Sequence, residues 1–224
     1  EQSLISRIGL MLRQVTPEIL DSLPDQHPDA QSSRRDLRII NRLMGSHKWF
    51  QQQISRLTQD TNCLEIGAGG GDLAISLVDH FKNLNYTAID RIDPPDDLPP
   101  QIQWLKGDLF SSTGYGVADT LLANLILHHF EDAALSELGA RIQDSPIQSM
   151  LVSEPCRRQL HKYQLAAGRL IGFNHVTLHD GDVSIEAGFV GDELPNLLGL
   201  NAKHWDIKTA TSWMGCYRMV ATRR

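Results

Sequence analysis

Cysteine is scarce in this sequence. Cys63, Cys156 and Cys216 are the three, widely spaced and without a CxxC pair. That gives no support to a zinc site and fits a reducing compartment, so a cytoplasmic protein is expected. Long apolar runs are missing too, and no stretch approaches the roughly 20 residues of a membrane span, which argues against stable membrane insertion. No basic-then-apolar leader is present. Positive charge is not in excess: 21 Lys and Arg stand against 27 Asp and Glu, a net charge of -6. A protein that tracks nucleic-acid phosphates usually carries a basic surface, so nucleic acid is not an expected partner. There is no internal repeat and no low-complexity tract. What remains is an ordinary globular composition, 41% hydrophobic and 21% charged, which argues against disorder. At 224 residues, one domain can bury a core without disulfides or metal.

The hydrophobic pattern divides the chain. Residues 1–22 carry apolar positions at helical spacing (Leu4, Ile5, Ile8, Leu12, Val15, Ile19, Leu20) and predict a helix. Pro24 and Pro28 among polar residues predict a loop over 23–32. A second helix is expected over 33–44, ended by Gly45, and a further one over 48–57. Short apolar strands then alternate with helical stretches. Strands are expected at 62–66, 86–89, 102–105, 120–124 and 148–153, with helices at 72–81 and 131–142. That alternation implies a parallel sheet with ligands at the strands' carboxyl ends. Only eleven residues separate Asp90 from Ile102, and Pro94, Pro95, Pro99 and Pro100 are among them. Proline breaks helices, so this crossover is expected to be short and non-helical. Residues 176–185 read as irregular or extended and 192–198 as a short helix. Residues 204–211 and 216–222 read as a hairpin about the turn 212–215.

The strongest chemical signal is Glu65-Ile66-Gly67-Ala68-Gly69-Gly70-Gly71 at a strand-to-helix turn. Glycines permit positive φ and let backbone approach a ligand closely. Dinucleotide-binding folds share such a turn, but their spacing is GxGxxG and their ligand carries a pyrophosphate. Here the spacing is GxGxG and the motif opens with an acid. A carboxylate at that point repels a pyrophosphate and suits a cation such as S-adenosylmethionine, which has a sulfonium and an ammonium and no phosphate. Asp90, at the end of the second strand, can accept ribose hydroxyls. Asp108, after the third, can accept from an adenine amino group, with Leu109 beside the ring. Each acid taken alone also fits a loop or turn role. Three at successive strand ends are harder to explain by chance.

The segments CLEIGAGGGDLAISL, YTAID, IQWLKGDLF and ADTLLANLILHHFED resemble motifs one to four of class I S-adenosylmethionine-dependent methyltransferases, of the UbiE-like group. The flanks PEILDSLPDQHPDAQSSRRDLRIINRLMGS and HDGDVSIEAGF resemble a bacterial subgroup found beside type III polyketide synthases. In that subgroup the fifth strand usually ends in Asn-Asp, whereas here it ends Ser153-Glu154-Pro155. The resemblance implies a seven-stranded, Rossmann-like α/β sheet, mostly parallel, with a C-terminal antiparallel hairpin. It implies an N-terminal helical cap over 1–57 and a cofactor-binding domain over 58–224, together one globular unit. It implies S-adenosylmethionine as cofactor, held by Glu65, Gly67, Ala68, Gly69, Asp90, Arg91, Asp108, Leu109, Asn124 and Leu125, with Arg42 reaching the cofactor carboxylate. Arg34, Arg35 and Arg38 read instead as a solvated face.

The expected reaction is methylation of a small phenolic or polyketide-like acceptor on oxygen. Carbon methylation of a quinone or phenol ring is the nearest rival. Methyl transfer needs mainly positioning and desolvation, and a phenol gains from a base that takes its proton. His128 and His129 follow the fourth strand, and one of the two is expected to face the cleft as that base, the other serving packing or the surface. Glu154 is a second candidate. His175 and His179 lie four apart before Asp180, but in an irregular segment that spacing has no meaning, so no metal site is expected. Trp49, Phe50, residues 160–173 and Trp213 either wall an acceptor pocket or belong to the core. An NAD-dependent oxidoreductase is the rival of another class, and Glu65 and the terminal hairpin argue against it.

Overall fold

The computed structural model describes residues 11–24, 26–57 and 61–224. A seven-stranded sheet organises them. Its strands are β1 (Asn62–Ile66), β2 (Asn85–Asp90), β3 (Ile102–Lys106), β4 (Thr120–Asn124), β5 (Ser149–Pro155), β6 (Trp205–Thr211) and β7 (Cys216–Arg223). The order is β3-β2-β1-β4-β5-β7-β6. The first five strands run parallel, and β7 pairs antiparallel with both β5 and β6. The strand order reverses between β1 and β4, so a ligand crevice opens beyond their carboxyl ends. The 91–101 crossover is non-helical, as its prolines require, and is closed by turns from Leu98 N–H to Pro95 O and Ile102 N–H to Pro99 O.

Helices cover both faces. On one, α2 (Ser46–Ile54) and α3 (Asp72–His80) bury Trp49, Phe50, Leu73 and Leu77 against the sheet. On the other, α4 (Asp132–Gln143) and α7 (Glu193–Leu197) pack Leu138, Ile142 and Leu194 against Met150, Val152 and Met219. Every residue of β5 is buried. That is the pattern of a strand covered on both faces.

Three expectations fail here. The helix α1 spans Pro28–Met44 and so begins inside the expected loop. Pro28 takes the first helical position, where its missing N–H costs nothing, and the His27 ring accepts from Asp29 N–H. Gly45 ends α1 with φ +67, as expected. Residues 11–18 form no helix, apart from one short turn at Leu20–Ser22 further on; residues 1–10 of that expected helix lie outside the described residues. The 11–24 segment is instead a strap whose polar groups are satisfied at long range. Gln14 N–H donates to Glu186 O, Arg157 donates to Met11 O, and Arg13 reaches Ala187 O, Phe130 O and Asp132.

The third failure is 176–185, which belongs to the helix α6 (His175–Ala187). Its β-branched residues and Gly181 disfavour helix locally, but tertiary packing overrides that. Asn174 caps it by accepting from Val176 N–H, and its Val176, Val183 and Ile185 are buried. Gly181 lets Leu165 of α5 (Gln159–Ala166) approach, since a Cβ there would lie 2.8 Å from Leu165 Cδ2. Asp36 on α1 accepts from Asn174 N–H and from the Thr177 hydroxyl, which ties α1 to α6.

Candidate active site

The glycine turn after β1 is shaped by close approach. Gly67, Gly69 and Gly71 all have positive φ. A Cβ on Gly67 would lie 2.3 Å from Ile126 Cγ1, so only glycine lets the β1 and β4 loops meet. Gly67 and Ala68 N–H both donate to Ile89 O, and Gly69 N–H donates to Asp90 Oδ2 at 2.7 Å. The turn thus rests on β2. It borders a cavity of 1390 Å³ that runs across the switch point and is closed by the strap and by α1, α5 and α6.

Most expected cofactor residues border this cavity: Glu65, Gly67, Ala68, Gly69, Asp90, Arg91, Leu109, Asn124 and Leu125. Glu65 is buried, and its Oε2 accepts from the Tyr86 hydroxyl at 2.8 Å. Burial pushes its carboxyl up to about 8, with Asp90 and Asp72 adding to the push and Tyr86 opposing it. Tyr86 was not anticipated from the sequence; it sits on β2, beside β1. Asn124 Oδ1 is buried without a partner among the described residues. Leu125 holds a φ of +55, unusual for a residue with a side chain, and its N–H donates to Ser153 O.

Two expected cofactor residues lie elsewhere. Asp108 is not on the cavity wall, although Gly107 and Leu109 are. Its carboxylate accepts from Phe110 N–H and pairs with Arg91 at 2.9 Å, and these contacts, the backbone one foremost, hold it below the usual carboxylate range. Arg42 is exposed and off the wall. The cavity-facing stripe of α1 runs through Gln31, Arg34, Arg38 and Asn41 at helical spacing, so two arginines expected to face solvent face the cavity instead.

The far end of the cleft carries the charge chemistry. Glu154 is fully buried. Its Oε1 accepts from Ile126 and Leu127 N–H at 3.0 and 2.9 Å, and its Oε2 lies 2.7 Å from His128 Nδ1. Both oxygens are committed, so Glu154 positions His128 and is not a free base. His128 Nε2 faces Glu18 Oε1 at 3.6 Å, and the Glu18 carboxylate accepts from the Ser184 hydroxyl. Burial works to lower the His128 pKa, but the bonds and charges of Glu154 and Glu18 outweigh it and lift it to about 9. Burial alone would raise the Glu18 carboxyl, yet the histidine pair brings it below the usual range. His128 is therefore set between two acidic side chains that favour its protonated ring.

His129 also borders the cavity, so both histidines line it where one was expected. They share one tight 3-10 turn, Leu127–His129, and their rings lie 4.3 Å apart with a 36° tilt. Burial, then the charge on His128, lowers the His129 pKa, which keeps that ring neutral. Glu18 could not be anticipated, because it reaches the site on the strap.

Donor atoms of Glu18, His128 and His129 lie within 4.8 Å of one another, a set of metal-binding type. His175 and His179 do share a helix, contrary to expectation. Both are largely exposed, and His179 Nδ1 is held by Asp180 at 2.9 Å.

No protein-family model matches the chain, and no curated protein does. Solved structures do. The plantazolicin methyltransferase BpumL, in complex with a triazolic desmethylPZN analog and SAH, aligns with a TM-score of 0.70 at 12% identity, covering 92% of this chain and 93% of that one. The plantazolicin methyltransferase BamL, also in complex with a triazolic desmethylPZN analog and SAH, gives 0.69 at 12% identity, over 91% and 92%. The pyocyanin biosynthetic protein PhzM gives 0.63 at 18% identity, over 92% of this chain and 62% of its own.

The His128 environment yields a direct test. A titration of its ring by NMR should show a midpoint near 9 in the wild type, falling to the ordinary imidazole range or below in Glu154→Gln. The folded value exceeds the unfolded one of about 6.5, so the stability it contributes is whole below about pH 6.5 and is lost as pH rises through 9. A wild-type midpoint near 6.5 would contradict the charged triad.

By fold, then, the chain is a seven-stranded Rossmann-like α/β sheet with a parallel core and a terminal antiparallel hairpin, an architecture it shares with these solved structures.

Proposed function

We propose that this chain is an S-adenosylmethionine-dependent methyltransferase acting on a hydroxyl oxygen of a small, largely apolar acceptor. The observation that carries the reading is one cavity with two ends. At one, an acid-led glycine turn and Asp90 close β1 and β2; at the other, two histidines and two carboxylates close β4 and β5. The residues present fit the cofactor. Gly69 has nothing within 4 Å of its Cβ position, and Asn124 Oδ1 waits without a partner among the described residues. Glu65 and Asn124 would meet the amino-acid end, Asp90 the ribose, and Leu109 the base. When bound, the cofactor supplies a methyl group on a sulfonium, which a nucleophilic oxygen takes by in-line displacement.

The chain's own groups divide the remaining work. His129, neutral and facing the cavity, is the base that accepts the acceptor's proton. His128, held as an imidazolium between Glu154 and Glu18, keeps His129 neutral and puts positive charge beside the oxyanion that forms. Glu154 keeps His128 in place and charged. Leu20, Leu23, Leu37, Phe173 and Ile185 give the acceptor apolar walls. The stretch 1–57 then serves as a cap over a domain of 58–224. A phenolic, polyketide-like acceptor in the cytoplasm agrees with the resemblance of the flanks. BpumL and BamL are named as methyltransferases, in keeping with the same reaction class.

Two measurements check this. With its carboxyl near 8, Glu65 is mostly protonated at neutral pH, and an ammonium beside it favours the carboxylate. Calorimetric binding of S-adenosylhomocysteine at pH 7 should release up to about one proton, seen as a dependence on buffer ionisation heat. Glu65→Gln should abolish that release; binding heats independent of buffer would contradict the assignment. Second, labelled methyl from S-adenosylmethionine should appear on oxygen in a phenol panel. His129→Ala should lower kcat by roughly 10²–10⁴-fold, with cofactor affinity kept and partial rescue at high pH. Products methylated on carbon, or a His129→Ala enzyme at full rate, would sink the oxygen-and-base mechanism.

A further inference from the structure

His161 of α5 plays no part in the scheme above, and its surroundings are specific. It is 5% exposed and borders the cavity. Its Nδ1 lies 2.8 Å from Gln164 Oε1, while Gln164 Nε2 donates to Trp213 O at 3.2 Å. The Trp213 carbonyl accepts only, so the amide cannot be reversed without setting two oxygens against each other. Gln164 Oε1 therefore faces the ring, and Nδ1 carries the hydrogen. In the neutral imidazole this leaves Nε2 as a lone-pair acceptor, and Nε2 is buried with no partner among the described residues. The ring is also fixed on its other side. Gly215 has φ +83, and a Cβ there would lie 2.9 Å from His161 Cγ and 3.0 Å from Nδ1.

A histidine kept only for packing would be replaced by an apolar ring at a gain, because a buried acceptor without a donor is destabilising. The location tells which ligand can supply the donor. In the sheet, β1 and β2 lie on one side of β4, and β5 and β7 on the other. The expected cofactor residues on the sheet lie at or after the ends of β1 to β4, none of them beyond β4 toward β5. His161 follows β5 and packs on the turn before β7, on the second side, next to the apolar Leu165, Phe173 and Met214 of the cavity wall.

We infer that His161 is a further acceptor-binding residue, whose Nε2 takes a hydrogen bond from a second hydroxyl of the methyl acceptor. This rests on the proposed oxygen methylation. The cavity then has two polar stations separated by apolar wall: His128 and His129 for the hydroxyl that is methylated, and His161 for one that is not. The acceptor class it fits is an apolar ring compound with two hydroxyls.

The test uses the intact chain with saturating labelled S-adenosylmethionine. The probes are pentyl-substituted catechol, resorcinol and hydroquinone, against pentylphenol. At least one diol should exceed the phenol in kcat/KM by about tenfold or more, since a site built to bond a hydroxyl rejects an analogue lacking it. His161→Phe should erase that preference by raising the diol's KM to at least that of the phenol, while the affinity for S-adenosylhomocysteine stays unchanged. His161→Gln, which keeps an acceptor atom, should restore part of it and serves if the Phe variant fails to fold. Equal turnover of diols and phenol by the wild type, as expected if a water fills the station, would overturn this inference while the proposed function stands. So would a His161→Phe enzyme that keeps the preference. Binding of the cofactor with no methylation of any probe would overturn both.

Discussion

The buried carboxylate of Glu154 is the constraint on which the site depends. It sits at the end of β5 with no exposure and must be satisfied entirely by protein. Two of its partners are the N–H groups of Ile126 and Leu127, which set the course of the loop after β4. The third is the His128 ring. One acid therefore fixes the backbone that carries Asn124, Leu125 and Ile126 past the glycine turn, and also the charge on the histidine that follows. A carboxylate in so closed a place needs a cation or several donors to remain there. Here it has both.

The N-terminal strap extends the same network. Glu18 places a second carboxylate against His128, and the strap is held around it by groups that each do more than one thing. Asp180 is buried on α6 and accepts from the N–H of both Ile19 and Leu20, just past Glu18. Arg13 spans α4, the loop after β4 and the end of α6. Since the 11–18 stretch makes no helix of its own, its position is set wholly by these long-range bonds. The charged end of the cavity is thus assembled from segments more than a hundred residues apart.

That difference in range explains what was legible in the sequence. The parallel strands, the glycine turn and the terminal hairpin are specified by local pattern: apolar runs of strand length punctuated by Gly, Asp and Pro. The proline-rich crossover is equally local and was anticipated as non-helical. Pro28 misleads because proline breaks a helix interior yet suits its first turn. His175–Ala187 misleads because its β-branched residues and Gly181 oppose helix until Asn174, Asp36 and Leu165 supply a cap and a surface. Placing α1 five residues late also obscured its inward face, which carries Arg34 and Arg38 rather than Arg42. Glu18, Tyr86 and His161 have no local signature at all, for each acquires its role only from a partner distant in sequence or from the cavity it borders.

The central claim is that Glu154 and His128 act as one unit. A double-mutant cycle in unfolding free energy at pH 7, with Glu154→Gln, His128→Asn and the double variant, measures that directly. Removing either partner leaves the other as an uncompensated buried group, so each single change should destabilise strongly and the double change should cost far less than their sum. The coupling expected is at least about 1.5 kcal/mol. Single effects that add to within about 0.5 kcal/mol would show that the pair is not coupled and that another interaction holds the site together.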